Sequence, residues 1–100
     1  MIDRSKFLEP TEKYLSEFTD RTPAEAKDWY NADLIGFAIQ WRNADYDTAI
    51  AVQTGFQQFK EYYDIELTYE EINKYFGNYP ADSFNELMRE VVQNAQKYQK

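Results

Sequence analysis

The stretch TPAEAKDWYNADLIGFAIQWR, Thr22 to Arg42, decides how this chain folds. It opens with a helix start signal. Thr22 caps, Pro23 takes the first helical position, where a missing N–H is harmless, and Glu25 stands where its carboxylate can reach back to the cap amide. Ala26, Trp29, Tyr30, Leu34, Phe37, Ala38 and Trp41 then recur at helical spacing and share one face. Ile35 and Ile39 widen that stripe beyond what one neighbour can cover. A long central helix in contact with several others is the expectation.

The flanking sequence supplies those neighbours. Upstream, Phe7, Leu8, Tyr14, Leu15 and Phe18 recur on one helical face. Pro10 fits a first turn, so this first helix should start at Pro10 rather than Ser5, and it should end before Asp20. Downstream, Asn43-Ala44-Asp45 breaks the pattern, and Asp45 or Asp47 is placed to cap a third helix. Its seam is Ala49, Val52, Phe56, Phe59 and Tyr63, with Gly55 marking a close helix crossing. Leu67 to Ile72 combines a capping box (Thr68 with Glu71) and a hydrophobic staple (Leu67 with Ile72), opening a short helix that ends at Phe76. Gly77 follows as a C-terminal residue expected to have positive φ. Ser83, with Glu86 as its box partner, is read as the cap of a last helix whose inner face is Phe84, Leu87, Met88, Val91, Ala95 and Tyr98. Lys97 and Lys100 suit the negative end of its dipole. No segment alternates with period two for long enough to require a strand. The fold class is therefore all-α: residues 1–100 as one bundle of four main helices plus one short helix.

Composition narrows the chemistry. Hydrophobic residues make up 43% of the 100 residues and aromatics 18%, with nine Tyr, seven Phe and two Trp, so a packed core is expected despite 29% charge. Three Gly and three Pro are too few for a many-turned β-sandwich or barrel. There is no Cys and no His. Thiolate chemistry, disulfides, the commonest general acid-base group and the commonest zinc ligand are thereby removed. Met1 to Lys6 does not lead into a long apolar run, and the longest apolar patch, Leu34 to Ile39, is far short of a membrane span. A cytoplasmic location is the expectation.

The formal net charge of −7 disfavours direct nucleic-acid binding, which requires a Lys/Arg surface. A helix-turn-helix between Ile65 and Gln96 would present Asp82, Glu86 and Glu90 against Arg89, and phosphate would repel it. Catalytic material is sparse. Asp33, between Tyr30 and Phe37 on the central helix, is the one buried-facing carboxyl. It reads either as an acid of raised pKa or as an edge residue paired with Lys27 or Arg42. Asp45 and Asp47 have the spacing of calcium ligands, but the rest of an EF-hand loop is missing, and capping accounts for them better. The chain is expected to be non-enzymatic, with no metal and no cofactor.

One segment is not absorbed by architecture. Glu61-Tyr62-Tyr63-Asp64-Ile65-Glu66-Leu67-Thr68-Tyr69-Glu70-Glu71 holds five carboxylates, three tyrosines and no basic residue. Tyr63, Leu67, Thr68, Glu71 and Ile72 serve a helix end and a capped start. Glu61, Tyr62, Asp64, Glu66, Tyr69 and Glu70 are either a solvated turn or a partner-binding epitope. In the second reading the carboxylates face Lys or Arg on a basic protein, and the tyrosines are its desolvated anchors.

In size, charge and residue type the chain resembles the small acidic all-α immunity proteins of bacterial competition systems. The colicin DNase immunity proteins present carboxylates and a Tyr-Tyr pair to their toxin, and Glu61-Tyr62-Tyr63-Asp64 is similar in character. The resemblance implies an inhibitor that binds a basic toxin or nuclease, without a cofactor. Trp41-Arg42-Asn43 also looks like the mid-chain turn of the WXG family of secreted helical hairpins, although the turn glycine is absent and Gly77 to Pro80 interrupts the second helix. That resemblance implies an assembly or regulatory subunit, homodimeric through aromatic helix faces.

Overall fold

The computed structural model describes residues 4–63 and 67–98, with the side chains at 59, 62, 63, 69, 97 and 98 left undescribed. Five helices follow in order: α1 (Glu12–Glu17), α2 (Pro23–Arg42), α3 (Tyr46–Tyr63), α4 (Tyr69–Phe76) and α5 (Ala81–Tyr98). No strand occurs among the described residues. The all-α bundle expected from the helical periodicities is what forms, with α2 at its centre and α3, α4 and α5 packed against it.

Local chemistry explains most helix starts. Thr22 is extended and its hydroxyl accepts the Glu25 amide, 3.1 Å away, while Pro23 begins the helix. Thr68 repeats the device on α4, accepting the Glu71 amide at 3.2 Å, and its hydroxyl also donates to Glu71 Oε1 at 3.4 Å. Asp45 rather than Asp47 caps α3, its Oδ1 accepting the Thr48 amide at 2.8 Å. That hydrogen bond stabilises the ionised form and holds the Asp45 carboxyl below the usual range.

Several boundaries differ from expectation. α1 starts at Glu12 because the Thr11 hydroxyl accepts the Tyr14 amide and supplies a cap one residue beyond Pro10. Phe7 and Leu8 consequently approach the core from an irregular segment that follows a turn, not from a helix. Leu15 is exposed, since Tyr14 occupies the inward position of this single short helix. Ser83 lies within α5 instead of capping it. The Pro80 carbonyl accepts the Phe84 amide at 3.0 Å, so the helix begins one turn earlier, with Asp82 in its positive first turn. Gly77 has φ −60° and ψ −27°, so no positive φ calls for glycine there. The reason is space: its amide closes on the Asn73 carbonyl at 2.6 Å, and an added Cβ would collide with that oxygen and with Asn73 Oδ1. Gly55 does not mark a close crossing either, since among the described residues a Cβ there would meet only Phe37 Cε1 at 4.0 Å. The close approach is at Gly36, where a Cβ would stand 3.4 Å from Phe84 Cζ on α5.

The core is built on α2. Ala26, Tyr30, Ala32, Leu34, Ile35 and Ala38 are buried against Tyr14, Phe56, Ile72, Phe76, Leu87 and Val91, one or more from every other helix. Tyr14 packs edge-on to Tyr30 with centroids 5.1 Å apart, and Phe37 does the same with Phe56 at 5.4 Å. Phe84 and Met88 extend the α5 contact as partly buried neighbours, and Leu67 lies beside the cluster that includes its staple partner Ile72.

The N-terminal segment is fastened to α2 by polar groups that helical periodicity does not reveal. Asn31 is fully buried. Its Oδ1 accepts the Leu8 amide at 2.7 Å, and its Nδ2 donates to the carbonyls of Leu8 and Lys27, each at 2.8 Å. Arg4 grips both carboxylate oxygens of Asp28 at 3.1 and 3.2 Å and reaches Glu90 on α5 at 3.2 Å. The Asp28 hydrogen bond, with Glu90 aiding, raises the guanidinium pKa above its ordinary value against the opposing effect of burial. Lys27 completes the attachment through Glu9 at 2.8 Å.

Candidate protein-binding surface

The acidic-aromatic segment spans the end of α3 and the start of α4. Glu61 lies in the last turn of α3, and Glu70 in the first turn of α4. Both are exposed, and neither carboxylate has an ion-pair or hydrogen-bond partner among the described residues. Tyr62 and Tyr69 belong to α3 and α4, with side chains outside the described set, and Asp64 and Glu66 lie outside the described residues altogether. The helix ends reinforce this charge unequally. The C-terminus of α3 adds partial negative charge beside Glu61, whereas the N-terminus of α4 partly offsets Glu70 and Glu71. Lys13 of α1 donates to the Glu61 backbone carbonyl at 3.3 Å and leaves the Glu61 carboxylate free.

A groove of about 300 Å³ adjoins this surface, lined by Gln53, Phe56, Gln57, Lys60 and Thr68. Phe56 in that lining is a buried core residue, and the others bring two amides, a hydroxyl and the Lys60 ammonium. Sequence reasoning singled out Phe56 for the helix seam and missed the groove, because nothing in the residues around it marks an opening at the surface.

The other candidate, Asp33, stands on α2 one helical repeat beyond Trp29, which in turn follows Glu25 at the same spacing. Burial pushes the Asp33 carboxyl up to about 6, against the opposing charge of Arg21. Its expected partners are engaged elsewhere: Lys27 with Glu9, and Arg42 with the carbonyls of Gly77 and Tyr79 at 2.7 and 3.1 Å. Arg21 instead lies over the Phe18 ring at 4.0 Å and the Trp29 ring at 5.1 Å, and donates to the Tyr14 hydroxyl at 3.3 Å. Glu25, nearly fully buried, makes only half of the expected capping box. Its amide is bound by Thr22, but its Oε2, like Trp29 Nε1, has no hydrogen-bond partner among the described residues. In this row the Trp29 ring lies beside the Arg21 guanidinium and packs against the core cluster.

Among the described residues no group of three or more metal-ligating side chains converges, and no helix is long and apolar enough to cross a membrane. No protein-family model matches the chain, and no curated protein or solved structure does so either.

Proposed function

We propose that this chain is a protein-binding module that captures a basic partner through the acidic-aromatic segment. A bacterial toxin, neutralised in the manner of an immunity protein, is the specific candidate. The observation that carries the proposal is the exposed pair Glu61 and Glu70, whose carboxylates have no partner among the described residues, in the last turn of α3 and the first turn of α4. Long-range attraction by Glu61, Asp64, Glu66 and Glu70 accelerates encounter with a cationic surface, and Tyr62 and Tyr69 then serve as the anchors that slow dissociation. Occupancy of the partner's active site, or of a surface beside it, would inhibit it without any chemistry by this chain.

Affinity capture with the wild-type chain and with a Glu61→Lys/Glu70→Lys variant tests the proposal. The expected result is a basic protein held by the wild type in low salt, and released both by the double reversal and by about 0.5 M salt. Capture of the same partners by both chains would sink it. Both positions are exposed, so circular dichroism of the variant should match the wild type.

A second reading, homodimerisation, has one specific observation in its favour. Tyr46 and Ile50, one turn apart on α3, are 79% and 47% exposed. Light scattering that gives a monomer of 12.0 kDa at all concentrations would exclude it.

A further inference from the structure

We propose that the cleft between the N-terminal segment and the α4–α5 turn is a binding site for a small phosphate-bearing ligand with a flat ring. The cleft, of about 260 Å³, is lined by Lys6, Lys74, Tyr75, Asn78, Tyr79, Pro80 and Ser83. In a chain with 18 acidic and 11 basic residues, a concave surface with two lysines and, among the described residues, no carboxylate runs against the overall charge. Neither ammonium has an ion-pair or hydrogen-bond partner among the described residues, whereas Arg4, Lys27 and Arg42 are all engaged.

Both walls are anchored. Lys6 sits between Arg4, held by Asp28, and Leu8, held at amide and carbonyl by Asn31. The opposite wall is the turn whose Gly77 and Tyr79 carbonyls accept from Arg42. Lys6 and the turn are thereby placed before a ligand arrives, which lowers the ordering cost of binding. The donor set favours phosphate over carboxylate. Two ammonium groups match the nearly double negative charge of a phosphomonoester, and the Ser83 hydroxyl, Asn78 amide and Tyr75 phenol add donors for three oxygens. Tyr75, 40% exposed, together with Tyr79 and Pro80 offers flat apolar surface for a ring. Asp82, the carboxylate next to Ser83 in sequence, is outside the lining.

Calorimetric titration with AMP, adenosine, inorganic phosphate and acetate tests the assignment. AMP should bind saturably, inorganic phosphate more weakly, and adenosine and acetate not measurably. Lys6→Gln and Lys74→Gln should each weaken AMP binding about tenfold while leaving the melting temperature unchanged, since both side chains are exposed. Lys74→Arg should retain most of the affinity. The assignment is overturned if AMP shows no saturation by about 10 mM, if adenosine or acetate binds as well as AMP, or if the double glutamine variant binds AMP undiminished.

Discussion

Asp33 and Asn31 show how differently two polar residues on one helix contribute. Asp33 is desolvated, with no hydrogen-bonded partner among the described residues, so its carboxyl favours the protonated form, with a pKa of about 6 against 3.8 for the free group. Between those values the folded chain holds a proton that the unfolded chain releases. The stability contributed by the protonated acid is therefore full below pH 3.8 and declines as pH rises to about 6. Asp33→Asn should accordingly stabilise the fold by roughly 2 kcal/mol at pH 7.5 and by almost nothing at pH 4, as read from urea unfolding at both pH values. Asn31 is the opposite case, because its side chain is fully buried and all three of its hydrogen bonds are short. Asn31→Ala strands the Leu8 amide and carbonyl and should cost about 2–4 kcal/mol in the same assay, with no pH dependence.

Among the helices, glycine separates what propensity dictates from what packing dictates. Gly55, inside α3, has ordinary van der Waals room for a methyl group. Gly55→Ala should raise stability by about 0.5–1 kcal/mol through helix propensity alone. Gly77→Ala should lower it by about 1–3 kcal/mol, because the Cβ collides with Asn73. Opposite shifts in melting temperature for these two variants would confirm the assignment of their roles. The same contrast explains which parts of the fold were legible in the sequence. Thr22-Pro23 and Thr68 to Ile72 are contiguous devices, in which cap, first-turn residue and staple lie within a few positions, and the chain obeyed them. The buried face of α2 was legible because helical spacing repeats along it. Asn31, Asp28 and Arg4 were not, since their partners lie far away in sequence and hydrogen bonding leaves no periodic mark. Ser83 misled because it is a good cap in isolation, while Pro80 already supplies the first helical carbonyl one turn earlier. Of the candidate surface, the acidic segment was visible as composition, but the groove over Phe56 arises only where α3 and α4 meet.

The whole molecule disposes its charge asymmetrically. Arg4, Lys27, Arg21 and Arg42 are engaged by carboxylates, carbonyls and rings of the chain itself, and so contribute less to the outward field than a count of basic residues suggests. Glu61 and Glu70 stand exposed with no partner among the described residues, within a chain of net charge −7. A surface of that kind acts chiefly on the rate of encounter, and its influence fades beyond a Debye length of about 8 Å at physiological salt. The most direct test of this account is therefore the association rate of the captured partner with the wild type and with Glu61→Lys/Glu70→Lys, measured by surface plasmon resonance across ionic strength. The account predicts that the double reversal lowers the on-rate at least about tenfold in low salt and flattens its salt dependence, with a smaller change in the off-rate. On-rates that are equal for the two chains and insensitive to salt would contradict it.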